Sequence, residues 1–108
     1  MPTRRPVIAA LDWDEENEAH VERHIPAWWV GDMIEGGDWV AFPNSKRHPP
    51  GRLLVVGRRP SGEFVTVVLR VPYRDDPGVW YPITGWVSTA AEREGYRRER
   101  ERRRTTDG

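Results

Sequence analysis

The apolar residues of this chain change their period at Gly36-Gly37, and that change sets the order of its elements. Before the two glycines, apolar side chains recur at threes and fours; after them they alternate at two. The alternation is strongest from Glu63 to Val71. There Val65, Val67, Leu69 and Val71 line one face, and Phe64, Thr66, Val68 and Arg70 line the other. Helices followed by a strand meander describe an α+β domain.

Val7 to Leu11 reads as a first short strand. Asp14 caps a helix reaching about His24, with Glu15, Glu16 and Glu18 in the turn where the helix dipole favours acids. Its expected inward face is Trp13, Asn17, His20 or Val21, and His24. Pro26 closes that helix or opens the next, which spans Ala27 to Glu35 with Trp29, Met33, Val30 and Ile34 as its apolar stripe. Trp39 to Phe42, Arg52 to Arg58, Glu63 to Val71 and Val79 to Val87 then read as an antiparallel sheet of about four strands. Pro82 within the last strand implies an edge position or a bulge. Thr89-Ala90-Ala91-Glu92 has the form of a capping box opening a final basic helix. The expected organisation is a flexible stretch over 1–6, one domain over 7–98, and a basic, mobile tail over 99–108.

At 108 residues the chain has room for a single core. It contains no Cys, no bilayer-length apolar run and no signal-peptide h-region after Met1, so a reducing, cytoplasmic setting away from membranes is expected. Net charge is zero, but the charges are segregated. Nine acids and one base lie between Asp12 and Asp38, whereas Lys46, Arg47, Arg52, Arg58, Arg59, Arg70 and Arg74 face one acid, Glu63, in the stretch that follows. A neutral sum of this kind leaves a polyanionic partner open.

Three segments carry a resemblance. Asp12-Trp13-Asp14-Glu15-Glu16-Asn17 with Glu22-Arg23-His24 comes first. Gly51-Arg52-Leu53-Leu54-Val55-Val56-Gly57-Arg58 with Ser61-Gly62 and Val67-Val68 follows. Tyr81-Pro82-Ile83-Thr84 with Glu92-Arg93-Glu94-Gly95-Tyr96 closes the set. In order and spacing they resemble BrnT-type toxins of type II toxin–antitoxin systems over Leu11 to Arg98. The resemblance implies a RelE-like fold, a metal-independent endoribonuclease without cofactor, RNA as substrate, and a cognate antitoxin through which oligomers form. The sequence departs from the family pattern at Ile25, at Trp86 (where the family has Arg), and in the turn-rich stretch Pro72 to Gly78.

On that resemblance the catalytic candidates are His24, Arg52, Arg70 and Tyr96, and the RNA-backbone candidates are Lys46, Arg47, Arg58 and Arg59. Each also has a plain reading. His24 suits a proton shuttle near neutral pH or a helix C-terminal cap. Arg52 and Arg70 on a strand need either a carboxylate or a phosphate. Tyr96 packs on the sheet or presents its hydroxyl. The basic loop holding Lys46, Arg47 and His48 suits solvent or phosphates. His20 and His24 stand four apart but lack a third metal ligand. Trp28, Trp29, Trp39, Trp80 and Trp86 suit base stacking or the core; Trp80 and Trp86 share strand parity. A non-catalytic RNA-binding or interaction protein on the same scaffold is the rival expectation.

Overall fold

A computed structural model describes residues 5–43, 52–70 and 76–107, with side-chain environments for 5–42, 52–70 and 76–104. The elements run β1 (Ala10–Leu11), α1 (Glu15–Glu22), α2 (Trp28–Gly36), β2 (Trp39–Pro43), β3 (Arg52–Arg58), β4 (Phe64–Arg70), β5 (Val79–Val87) and α3 (Ala90–Asp107). They form an α+β domain around a five-stranded mixed sheet of order β1-β5-β4-β3-β2. Strands β2 to β5 pair antiparallel, and β1 adds to β5 in parallel. Among the described residues no helix is long and apolar enough to cross a membrane.

Helices α1 and α2 pack on one face. Val21, Ile25, Val30 and Met33 close over Leu53, Val55, Val65, Val67 and Leu69 to make the core. Asp14 caps α1 as the sequence suggests, accepting from the Asn17 amide at 2.8 Å while Asn17 returns a bond to the Asp14 amide at 2.8 Å. The buried side of α1 corrects the expectation, however. Asn17, Val21 and then Ile25 point inward, whereas His20 and His24 are exposed. Asn17 is tolerated inside because its amide also reaches the Asp12 carbonyl at 2.9 Å, and Ile25 supplies the apolar contact that a histidine would not. Gly37 ends α2 in the left-handed region at φ 78°.

The opposite face carries α3. Its capping box forms, with the Thr89 amide donating to Glu92 at 2.8 Å and the Glu92 amide to Thr89 at 3.2 Å. Glu92 also accepts from Thr66 of β4 at 3.1 Å and from the Trp86 indole of β5 at 2.9 Å. The Tyr96 ring meets Phe64 edge-on, 5.2 Å between centroids. The helix then crosses toward β2, where Arg100 pairs with Asp38. It continues through the expected tail to Asp107, and Arg97–Glu94 and Arg102–Glu99 pairs support its polar turns. At the other terminus, the Arg5 guanidinium lies 3.6 Å above the Trp39 ring.

Pro82 produces the bulge its sequence implies. Val68 pairs with Thr84 and Leu69 with Pro82, leaving Ile83 as the extra residue. The side-chain parity of β5 therefore reverses there. Trp80 joins the α1–α2 core, while Trp86 lies on the α3 face. The two tryptophans do not share a surface.

Candidate nucleic-acid interface

Register decides which charges meet. Arg52 of β3 pairs directly with Arg70 of β4, and Arg70 with Tyr81 of β5. Directly opposed residues of an antiparallel pair share a face, so all three side chains form one row across the sheet. Their face is the one carrying α3, but their row lies beyond it. From Thr66, under Glu92, to Arg70 is four residues, about 13 Å along a strand. Arg70 is exposed and Arg52 half-buried. Among the described residues neither is ion-paired.

What fixes Arg70 is aromatic and indirect. Its guanidinium sits 4.2 Å from the Tyr81 ring centroid, and the Tyr81 hydroxyl donates to Asp14 at 2.7 Å. The N-cap of α1 thus reaches around the sheet edge to hold the tyrosine beneath the arginine. Asp14 is kept below the usual carboxylate range by the Asn17 amide first and the Tyr81 hydroxyl second. Tyr81 is pushed up to about 12, chiefly by its bond to Asp14. At neutral pH the phenol stays protonated and the carboxylate ionised, so this pair orients groups and moves no proton between them.

Two guanidiniums placed opposite each other repel in the free protein. An anion between them reverses the sign, because each is a planar fork suited to two oxygens of one phosphate. The connection from β2 enters β3 at Arg52 and carries Lys46 and Arg47, which lie outside the described residues, as does Arg74.

The other sequence candidates do not join this row. His24 is exposed in the turn after α1, and the neighbouring Ile25 packs beneath Gly85 on the opposite face of the sheet. Tyr96 donates to Asp38 at the far end of the strands, and burial first, then that bond, pushes its phenol up to about 12. Arg58 is exposed and pairs with Phe64 in register; it is six residues from Arg52, about 20 Å along β3. Arg59 is not a surface cation. Its side chain is 8% exposed, bonded to Asp32 at 2.9 Å and to Glu63, and stacked 4.2 Å from the Trp29 ring. An arginine so buried must be paired, and these carboxylates use its donors. Trp86 gives its indole N–H to Glu92.

Tyr81 and Asp14 are the residues that sequence reasoning missed as part of this row. Asp14 carried the signal of a cap only, and Tyr81 meets Arg70 only after the bulge sets the register. Among the described residues no group of three or more His, Cys, Asp or Glu side chains is arranged to hold a metal, which leaves the His20–His24 spacing without further ligands. Comparison with protein-family models, curated proteins and solved structures found no match.

Proposed function

We propose that this chain acts on RNA as the toxin of a type II toxin–antitoxin pair, on a RelE/BrnT-like scaffold, with Arg52 and Arg70 clasping the scissile phosphate. The observation that carries this reading is the direct pairing of Arg52 with Arg70 on the part of the sheet that α3 leaves clear. Two guanidiniums in one row, Arg70 held over Tyr81 and Arg52 in register beside it, stabilise the extra charge that a phosphodiester gains when its own 2′-hydroxyl attacks it. The BrnT-like segments supply the RNA substrate and the antitoxin partner.

A second reading has its own support. His24, the proton carrier the resemblance assigns, is exposed in the turn after α1, beside Ile25, which packs on the opposite face of the sheet, and Tyr96 is engaged with Asp38. Both favour a protein that grips RNA without cutting it. One experiment separates the two readings: purified protein is incubated with single-stranded RNA in a chelator, and binding is followed against salt. Fragments ending in 2′,3′-cyclic phosphate, lost in the Arg52→Ala, Arg70→Ala variant, support the nuclease. Intact RNA, bound with a salt slope that falls by about 1.4 in that variant, supports binding alone. A folded double variant with unchanged affinity and unchanged cleavage overturns both.

A further inference from the structure

A second basic site stands apart from the Arg52–Arg70 row. Where α3 passes the β2 edge, Arg100, Arg103 and Arg104 come together with Arg5 and Trp39 around a cleft of about 230 Å³. The cleft is bordered by these five residues, four of them arginines and none an acid. Two carboxylates that touch these arginines are already engaged. Asp38 pairs with Arg100 and accepts from Tyr96; Glu99 pairs with Arg102 at 2.8 Å and stands 3.6 Å from Arg103. The lining itself is therefore four cations and no acid, and the two carboxylates beside it, Asp38 and Glu99, are each shared with another group.

The cleft is built, not a chance meeting of mobile side chains. Arg5 is clamped over the Trp39 ring at 3.6 Å and donates to the Gly37 carbonyl at 2.9 Å and the Trp39 carbonyl at 3.3 Å. Arg100 is tied to Asp38. Burial first, then Arg103 and Arg100, holds the Arg5 guanidinium below its ordinary value. A single carboxylate would offset only one of these charges, whereas one phosphate group brings more charge and three or more acceptor oxygens for several forks. The volume is below the roughly 300 Å³ at which drug-sized pockets begin, which suits one or two phosphate groups.

We infer that Arg5, Arg100, Arg103 and Arg104 form a phosphate-binding site, taking either a free diphosphate or a phosphodiester of a nucleic-acid strand. It does not depend on the role given to Arg52 and Arg70.

The test is a two-dimensional NMR titration of the arginine Nε–H and indole signals with sodium diphosphate, against sodium chloride at matched ionic strength. Saturable shifts at Arg5, Arg100 and Arg103 with diphosphate alone are expected. The Arg103→Gln, Arg104→Gln variant, altered only in the last turns of α3, is expected to weaken binding at least about tenfold through loss of charge-assisted donors. The Arg52→Ala, Arg70→Ala variant keeps full diphosphate affinity, so this site and the proposed RNA row fail separately. A single-stranded RNA arm identifies the source: shifts at the same signals mean a phosphodiester, and their absence means free phosphate. Equal shifts with chloride, or unaltered affinity in the Arg103, Arg104 variant, overturn the proposal.

Discussion

Arg59, on the turn between β3 and β4, sets its Nε 2.9 Å from the Asp32 carboxylate of α2 while its guanidinium stacks on Trp29. One side chain therefore ties the acidic N-terminal third to the basic sheet. Truncating it leaves Asp32 and Glu63 facing each other without a cation. Arg59→Ala should cost about 2–3 kcal/mol; the carboxylates are a third exposed, so the loss stays below that of a fully buried pair. Arg59→Lys should recover little, because one ammonium cannot serve both acids and the ring. Urea unfolding at pH 7 measures both.

Two glycines should respond in opposite directions. A Cβ on Gly57 would stand 2.6 Å from the Trp39 Cβ and 2.8 Å from the Asp38 carbonyl oxygen. Neither can retreat without moving β2, so Gly57→Ala should destabilise by about 1–3 kcal/mol. Gly31, inside α2, has nothing within 4 Å of such a Cβ. Gly31→Ala should raise stability by about 0.5–1 kcal/mol through helix propensity.

The Tyr81–Asp14 bond predicts a pH window. Asp14 is depressed from its ordinary 3.8, so its contribution is present above that value and is lost as pH falls through the lower folded pKa. Tyr81 is raised from 10.0 to about 12, so its contribution is present below 10 and is lost as pH rises toward 12. The stability gap between wild type and Tyr81→Phe should be widest near pH 7 and narrow at both extremes. Denaturation midpoints at pH 3, 7 and 11 test this.

Glu92 joins a helix start to two strands. Its removal leaves the Trp86 indole N–H and the Thr89 amide without their acceptor. Glu92→Ala should cost about 2–3 kcal/mol, combining a lost cap with a half-buried donor left unsatisfied. Glu92→Gln, which keeps an acceptor oxygen, should lose less than half as much. Thermal melts of the two variants check the ranking.

Local chemistry was legible in the sequence; meetings at a distance were not. The bounds of β3 and β5, the Asp14 cap, the Thr89–Glu92 box and the disturbance at Pro82 all follow from nearby residue types. The separation of Trp80 from Trp86 does not, because parity counting fails across a bulge whose partner strand must be known. The exposure of His24 was missed for a related reason. A helical period marks an apolar face, but which of two neighbours turns inward depended on Ile25 meeting Gly85. Arg52 and Arg70 were singled out as strand arginines, and their pairing emerges from register. Arg59 sits in a turn, where composition favours solvent; only the approach of α2 explains its burial.

The parallel pairing of Ala10 with Val79 and Leu11 with Trp80 sets a schedule for biosynthesis. As the polypeptide leaves the ribosome, β1 must wait for β5, the last of the five strands, before it has a neighbour. Until then the surface that Trp80 will cover stays open, and a nascent chain stalled short of β5 is open to chaperone capture or misassembly.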